Sequence, residues 1–350
     1  MRGILKLGGI KADEVMGTAQ AGYGAEWVPD LWSSELWRKV RLENVVVSLF
    51  TVTDMPSDDY VLPVDGADPI VYRVPQTQDD AQFDPSKSPV TGSKAGTGKV
   101  ELHAKKIGAR VPFSEEENED SILPFIPELR EKMLAAMEDG VEYVVLHADD
   151  TFAGAPSGNI NAYDGAVAET SLERWMLGFE GLAHLPLVDD TSLLVNQAGA
   201  APDVTMLRGM RRKLDLAYLT RLGDLAYLVD PLTGTALLDM DGVMTLDKFG
   251  PKATLLTGQL AALDNIPIIP SDQLLLADDN GMLSATPANN VWGRAMLVFR
   301  PAVRIGYRRR VSVEVVRFPL TDAYQMVSYM RLALVRRDAK CVSLAHNILV

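Results

Sequence analysis

The alternation of apolar and polar residues changes phase once within residues 100–120, VELHAKKIGARVPFSEEENED. The apolar positions are Val100, Leu102 and Ala104 before two lysines, and Ile107, Ala109, Val111 and Phe113 after them. A slip of one residue turns every later side chain to the other face of a strand. The pattern therefore predicts a β-bulge or a sharply twisted strand. Ser114, with Glu117 three residues later, predicts a capping box that begins a helix.

Residues 54–99 are rich in Pro, Gly, Asp and Ser and contain only short alternating stretches. A structureless connection of this length is unusual, because connections in compact domains have about 4–6 residues. We therefore expect a long hairpin. Its parts are an outward strand at 60–74, a tip at 79–98 and a returning strand at 99–113. A two-stranded ribbon is marginally stable in water, so we expect this one to rest on another protein chain.

Helical periodicity recurs along the chain. The first predicted helix is an amphipathic one after Pro29 with Leu31, Trp32, Leu36 and Val40 on one side. A helical region at 114–150 is broken by Pro124 and Pro127, and its second part, 128–150, carries a stripe of Leu129, Met133, Ala136, Met137, Gly140 and Val144. Further helices are predicted near 171–184 and 203–219. Strand patterns occur at 192–195, 225–229, 265–272 and 296–318, and the last residues read as a hairpin turning at 336–339. Because strands and helices are segregated in places and mixed in others, the pattern indicates an α+β fold.

Composition and charge narrow the class of function. The chain has 350 residues, of which 47% are hydrophobic and 23% charged, which is ordinary for a globular protein. Its net charge of −13 argues against a surface built to grip nucleic acid through phosphates. No apolar run approaches the ~18 residues of a membrane span, and Lys6 and Lys11 interrupt any signal-peptide core. The single cysteine, Cys341, excludes an intrachain disulfide and indicates a reducing compartment.

Two loops resemble ligand-binding motifs but lack residues that the chemistry needs. SKAGTGKV at 93–100 is similar to a phosphate-binding loop, but Ser93 replaces its first glycine and Val100 its Mg²⁺-binding hydroxyl. It also leads into a strand, which favours a flexible loop tip. Residues 239–250 begin like a calcium loop but lack the closing glutamate, which favours a turn.

Side chains that carry catalysis are scattered. The histidines are His103, His147, His184 and His346, without an H-x-x-x-H pair. His147 with Asp149 and Asp150 could hold a metal ion, but a solvated helix end is the favoured interpretation. Cys341 has the alternating context of a buried strand thiol, and no G-x-S-x-G elbow occurs. We therefore expect no catalytic, cofactor-binding or metal-binding residues and no cofactor.

The order of these elements resembles that of the major capsid proteins of tailed bacteriophages, in the Hong Kong 97 fold family, from about residue 21 to the C-terminus. The segments that carry the resemblance are AGYGAEWVPDLWSSELWRKVRLENVVVSLFTVTDMPSDDYVLPV for the arm, first helix and loop entry, VELHAKKIGARVPFSEEENED for the returning strand, VEYVVLHADDTFAGAPSGN for the helix exit, LAYLVDPLTGTALL and TLLTGQLAALDNIPIIPSD for the axial domain, and NNVWGRAMLVFRPAVRIGYRRRVSVEVVRF for the closing strands.

The resemblance implies a Hong Kong 97-like α+β capsid fold of five regions. These are an N-terminal arm and first helix at 1–57, an extended β-hairpin loop at 58–112, a peripheral domain with a long spine helix at 113–186, an axial domain at 187–319, and a C-terminal hairpin at 320–350 returning to the peripheral domain. It implies a shell protein without enzymatic activity that assembles as hexamers and pentamers into an icosahedral shell around double-stranded DNA. An arm without its own core would gain roughly 25 cal/mol per Å² of apolar area buried on the next copy.

The resemblance also implies partners and a location. The partners are other copies of the chain, a portal, and scaffolding, protease or decoration proteins; the shell encloses DNA without sequence-specific contacts and involves no membrane. The location is the virion, after assembly in the host cytoplasm. Many family members carry an N-terminal scaffolding segment that is removed on maturation, and only about twenty residues precede the resemblance here. The segment has therefore been cut away, or a separate scaffolding protein serves.

Six residues are predicted to contact neighbouring subunits: Lys87, Lys94, Lys99, Arg304, Arg308 and Arg310. On a chain of charge −13 we expect the arginines of RIGYRRR to pair with carboxylates, within the subunit or across an interface. The type member of the family joins a loop lysine to an asparagine on a neighbour, and Asn347 is the candidate acceptor here. An exposed lysine is more often a solubilising charge, which is the favoured interpretation.

Two alternatives remain open at the level of sequence. An encapsulin-like bacterial compartment would have the same fold but would enclose an enzyme, and the long 54–112 arm favours the virus. A soluble enzyme with an unrecognised site would form a small oligomer with a deep pocket and perturbed carboxylates.

Overall fold

The computed structural model describes residues 45–72, 92–114, 125–151, 159–161, 178–239, 263–318 and 323–350. Within them lie the strands β1 (Thr51–Asp54), β2 (Asp59–Asp65), β3 (Thr97–His103), β4 (Lys105–Ser114), β5 (Leu194–Asn196), β6 (Leu225–Val229), β7 (Ile268–Pro270), β8 (Gly293–Phe299), β9 (Val303–Phe318), β10 (Ala323–Arg336) and β11 (Val342–Ile348), and the helices α1 (Phe125–His147), α2 (Val204–Lys213) and α3 (Pro231–Leu238). The predictions for the 31–40 helix, the capping box after Ser114, most of the 171–184 helix, the hairpin tip and the 239–250 turn fall largely or wholly outside these residues.

The strands form two sheets and a separate ribbon. One sheet has the order β1-β9-β10-β4, and the other has the order β5-β11-β8-β6-β7. β6 and β8 are buried along their whole length in the five-stranded sheet, which explains why both read as continuous apolar runs. The mixture of antiparallel and parallel pairs with only a few helices is an α+β arrangement, as the sequence predicts.

The phase change at Lys105 is a change of partner strand. β3 pairs with β2 from His103↔Asp59 to Thr97↔Asp65, and after Ala104 the chain continues as β4, which pairs with β10. Buried positions then alternate as the sequence predicts, from Ile107 to Phe113. The prediction that the hairpin's returning strand runs to residue 113 is wrong beyond His103, because the backbone groups of β4 bond to a strand from the other end of the chain.

The predicted closing hairpin does not form. β10 pairs with β9 and β4, whereas β11 pairs with β8 and β5. The turn near 336–339 therefore carries the chain from one sheet into the other. Local alternation shows that two strands occur here, but it holds no information about which partners supply their hydrogen bonds.

Helix α1 ends against a segment that caps it. The amides of Gly181, Leu182 and Ala183 donate to the carbonyls of Ala148, Val145 and Leu146 at 2.7–3.1 Å, so they satisfy carbonyl groups that a helix end leaves free. A Cβ at Gly181 would lie 2.7 Å from Ala148 N, so only glycine permits this close approach. Of the predicted stripe, Met133, Met137 and Val144 are buried, but Ala136 is exposed.

Helix α2 is shorter than the predicted 203–219. Asp203 begins it as the sequence predicts, because its carboxylate accepts from Met206 N at 2.6 Å. The helix ends at Lys213, and the Asp215 carboxylate accepts from Ala217 N at 2.9 Å. A local side-chain turn of this kind competes with the helix for the same backbone groups. No described helix is both long and apolar enough to cross a membrane.

Candidate interaction surface

The ribbon of β2 and β3 is anchored on the four-stranded sheet at a glycine. Met55 and Leu102 are buried with Ala333 of β10, in a cluster separate from the main core. They lie over Gly306 of β9, where a Cβ would come 2.5 Å from Met55 Sδ and 2.8 Å from Leu102 Cδ2. Any side chain at position 306 would therefore displace the root of the ribbon.

Arginines of β9 and β10 fix the same root electrostatically. Arg331 Nη2 lies 2.8 Å from Asp58 Oδ2, and Arg308 donates to the carbonyls of Met55 and Pro56 and lies 3.6 Å from Asp58 Oδ1. The prediction that the basic patch pairs with carboxylates is confirmed within the chain for Arg308.

Arg309 of the patch pairs with Glu314 at 3.2 Å, and the remaining two arginines, Arg310 and Arg304, differ in their surroundings. Arg310 Nη2 contacts Asp54 Oδ1 at 3.2 Å, and both side chains are mostly exposed. Arg304 is half-buried and lines a cleft of about 190 Å³ between the ribbon and the β8–β9 corner. Contacts of these residues with other copies stay a prediction.

Beyond its root the ribbon is exposed. Ile70, Val71 and Tyr72 follow β2, and Val71 is 94% exposed. Lys94 is exposed, and Lys99 pairs with Glu101 at 2.6 Å on the surface, which raises the pKa of Lys99. Lys87 lies outside the described residues. Ile70 and Val71 extend the ribbon beyond β2 and expose β-branched side chains. Such an apolar surface is one that another chain would cover.

A second apolar surface lies beside α1. A groove of about 630 Å³ is lined mainly by Val47, Val52, Val141, Val311 and Met330. It opens next to residue 45, where the described chain begins.

The polar groups inside the five-stranded sheet form a structural network. Arg294 is 1% exposed and donates from Nε to Leu275 O at 2.9 Å and from Nη1 to Gly281 O at 3.2 Å. His147 lies against it, with Nη2 to Nε2 at 3.4 Å, and is buried. The prediction of a solvated helix end at His147 is therefore wrong. Loss of hydration, followed by the charge of Arg294, holds the pKa of His147 well below its usual value.

Glu142 is a buried carboxyl group on the inner face of α1. It accepts a hydrogen bond from Ser271 Oγ, and burial raises its pKa. Its Oε2 has no hydrogen-bond partner among the described residues. Since it does not face an open cavity of the described chain, the structure assigns it to packing between α1 and β7.

Two groups of described side chains have metal-ligand spacing, and both contain His184; the second is Glu180, His184 and Asp189. In the first group, Asp149 and Asp150 come together with His184, and not with His147 as the sequence suggests. His184 lies far along the chain, so no local spacing could reveal this group. Cys341 is buried, as predicted, and burial raises the pKa of its thiol to about 11.

The chain is similar to known proteins in structure. No family model and no curated protein sequence matches the chain. A solved structure from Gordonia phage Cozz matches it with a TM-score of 0.64 at 16% identity, covering 98% of each chain. One from Mycobacterium phage Bobi has a TM-score of 0.59 at 14% identity, covering 92% of this chain and 96% of its own.

A third match is to a solved particle structure. It is the capsid of a native GTA particle, with a TM-score of 0.55 at 12% identity, covering 96% of this chain and all of the other. The chain has the fold of a phage major capsid protein.

Within this capsid-protein fold, the sequence alone predicts two of the described surface features and misses a third. The ribbon is predictable from its Pro- and Gly-rich composition, and the arginine patch is predictable from RIGYRRR. The cluster of Met55 and Leu102 over Gly306 is missed, because it brings together three distant segments. A single glycine in an otherwise branched and charged strand is the one local signal for it.

Proposed function

We propose that this chain is the major capsid protein of a tailed bacteriophage, and that it assembles as hexamers and pentamers into an icosahedral shell around double-stranded DNA. The observation that carries the proposal is the match of fold over 98% of this chain and of the Gordonia phage Cozz chain, together with a ribbon that the described subunit leaves exposed. The GTA neighbour is part of a capsid, which supports a shell.

The ribbon supplies the physical reason for assembly. Among the residues of the ribbon that the structure describes, the buried apolar side chain is Leu102 at the root, so these two strands have no core of their own. Covering Val71 and its neighbours on an adjacent copy would contribute roughly 25 cal/mol per Å² of apolar area. Contacts of this head-to-tail kind close into rings when the rotation between subunits allows.

In the proposed Hong Kong 97-like subunit, α1 is the spine helix, the ribbon is the extended loop, and the five-stranded sheet belongs to the axial domain. Lys87, Lys94 and Lys99 of the loop are proposed to contact the next copy. Arg304 is proposed to do the same through the cleft that it lines. Arg308 and Arg310 act in addition within the chain, where they fix the ribbon root.

The charge of the chain suits a container. A net charge of −13 repels the DNA backbone, so the proposed shell would enclose DNA without gripping it. Portal, scaffolding, protease and decoration proteins are the further partners that this function requires, with the virion as its location and host cytoplasm as the place of assembly.

The experiment is electron microscopy of the purified full-length chain together with size-exclusion chromatography. We expect rings or closed shells. The variant Ile70→Asn/Val71→Asn removes exposed apolar area from the ribbon and should stop assembly, while its unfolding curve stays unchanged because both side chains are exposed. Thr97→Asn, an exposed polar change on the same ribbon, is the matched control and should still assemble.

Other outcomes would overturn the proposal. A compact small oligomer at high concentration with ligand-dependent melting would indicate the enzyme alternative. Shells that purify with one specific enzyme and without DNA in the native host would indicate the compartment. Unchanged assembly of the Ile70→Asn/Val71→Asn variant would remove the role assigned to the ribbon.

A further inference from the structure

We propose that Asp149, Asp150 and His184 bind one divalent transition-metal ion, of the class of Zn²⁺ or Mn²⁺, at the end of α1. Their ligand atoms all lie within 4.8 Å of one another. The two aspartates follow α1 directly, and His184 follows the segment that caps it. The proposal concerns the single subunit and does not depend on its role in a shell.

The separation of the side chains fits a metal ion better than a hydrogen bond. His184 Nε2 lies 3.4 Å from Asp149 Oδ1, which is longer than a normal hydrogen bond. Around a tetrahedral ion with bonds of about 2.0–2.1 Å, neighbouring ligand atoms lie about 3.3–3.4 Å apart. The Asp149 side chain is fully buried, and both of its oxygens accept backbone amides, from Thr151 at 2.7 Å and from Ile160 at 2.9 Å. These bonds orient the carboxylate and leave further lone pairs free.

His184 is a buried histidine whose two ring nitrogens have only long polar contacts. It is 4% exposed, and its Nδ1 has no hydrogen-bond partner among the described residues. Its Nε2 reaches Thr151 Oγ1 only at 3.5 Å. Nδ1 faces Asp189 Oδ2 at 3.4 Å, which places a carboxylate behind the ring. A histidine that binds a metal through one nitrogen commonly donates its other N–H to such a carboxylate.

The charges around His184 favour an ion on the Asp149 side of its imidazole ring over one on the Asp189 side. Glu180, His184 and Asp189 also have metal-ligand spacing, but Arg336 Nη2 already contacts Glu180 at 2.6 Å and Asp189 at 3.3 Å. Because the Arg336 guanidinium already pairs with both carboxylates, a second cation is not expected on that side of the ring.

The ligand set also selects the class of metal. One imidazole and two carboxylates suit Zn²⁺ or Mn²⁺, whereas Mg²⁺ and Ca²⁺ are held by oxygen ligands alone. A bound ion would join the end of α1 to the segment carrying His184. The expected effect is therefore stabilisation of the subunit.

The test uses the full-length chain, unassembled and freed of metal with a chelator. Calorimetric titration with Zn²⁺, and separately with Mn²⁺, should show one ion per chain and a raised melting temperature, and Mg²⁺ should have little effect. His184→Gln and Asp150→Asn should abolish both effects; Asp150 is exposed, so its variant should fold. Asp189→Asn should weaken binding by about 10–100-fold, as loss of a supporting carboxylate does.

His103→Gln is the matched control. His103 is an exposed histidine whose Nδ1 lies 2.7 Å from Asp59 Oδ1, so it would capture metal non-specifically if any surface site did. Retained binding in this variant with loss in Asp150→Asn supports the site. Binding that is lost in His103→Gln, kept in Asp150→Asn, or absent from the wild-type chain would overturn it. Shell formation is measured separately, so either proposal can fail alone.

Discussion

At the scale of single residues, Arg294 of β8 joins the segments that follow β6 and β7 to the five-stranded sheet. Its side chain donates to Leu275 O and Gly281 O, and its backbone amide donates to Asp230 Oδ2 at 2.8 Å. Asp230 also caps α3 through the amides of Leu232 and Thr233. Burial lowers the pKa of Arg294 to about 10, so the guanidinium stays charged at neutral pH, and its hydrogen bonds must offset the loss of hydration.

Replacing this side chain should be costly. Arg294→Met keeps the length of the side chain but leaves two buried carbonyls without donors, so we expect a loss of about 2–4 kcal/mol in the free energy of unfolding. Urea unfolding of the unassembled chain measures it. Arg212→Met, at an exposed position of α2, is the control and should change stability little. A loss in Arg294→Met no larger than in the control would contradict the assigned role.

His147 should make stability depend on pH. Burial and Arg294 hold its folded pKa well below the ordinary 6.5, so below about pH 6.5 the unfolded chain binds a proton that the folded chain does not. Stability should therefore fall as the pH is lowered from 7.5 to 5.5, by up to about 1.4 kcal/mol per pH unit for this group. His346, whose pKa burial also lowers, adds in the same direction.

A comparison of the wild type with His147→Asn isolates the contribution of His147 to the pH dependence of stability. His147→Asn should be less stable overall, but its unfolding free energy should change less between pH 7.5 and 5.5 than that of the wild type. Glu142, whose pKa burial raises, works in the opposite direction in both proteins and cancels in the comparison. Equal slopes would show that His147 binds protons alike in the folded and unfolded chain, and would contradict the lowered pKa.

At the scale of elements, α1 is completed by a distant segment. Its last carbonyls receive the amides of Gly181, Leu182 and Ala183, and its final turn is buried on nearly every side. The helix and this segment should therefore unfold together, because neither satisfies its backbone groups alone.

Gly181→Ala tests this coupling. The added Cβ would lie 2.7 Å from Ala148 N and 3.0 Å from Ala148 O, and neither backbone atom can move without breaking the cap. We expect a loss of about 1–3 kcal/mol in the free energy of unfolding, as for other overpacked sites. Gly223→Ala is the control, since a Cβ there meets nothing within 4 Å. Thermal unfolding followed by circular dichroism measures both, and equal midpoints would refute the steric cause.

At the scale of the whole molecule, the proposed assembly would set attraction through a few apolar surfaces against repulsion between acidic copies of the chain. The ribbon and the groove beside α1 expose branched side chains, whereas each copy carries a net charge of −13. Repulsion of this kind is screened by salt, with a Debye length of about 10 Å at 0.1 M and about 3 Å at 1 M.

Assembly should therefore be promoted by salt. We expect light scattering to show faster and more complete particle formation as NaCl is raised from about 0.05 to 0.5 M, because screening acts on exposed charges at these ionic strengths. Ile70→Asn/Val71→Asn should fail to assemble at every salt concentration. Slower assembly at high salt would instead mean that ion pairs between copies, such as those predicted for Lys94 and Arg304, dominate the contact.

Sequence by itself determined the features that depend on neighbours along the chain. The alternation on both sides of Ala104, the start of α2 at Asp203, the buried run of β6 and the ribbon's start all follow from side-chain periodicity and capping chemistry, which act over a few residues. The order of these elements also sufficed to indicate the capsid-protein fold that the solved phage structures share.

Tertiary structure alone decided which distant segments meet. It separated β10 from β11, gave β4 a partner from the far end of the chain, buried His147 against Arg294, and brought His184 to Asp149. The physical reason is that hydrogen bonds between strands and contacts between buried side chains carry no mark in local sequence. The backbone groups of any alternating strand can form hydrogen bonds with those of another strand. Packing of the whole chain therefore determines which pairings occur.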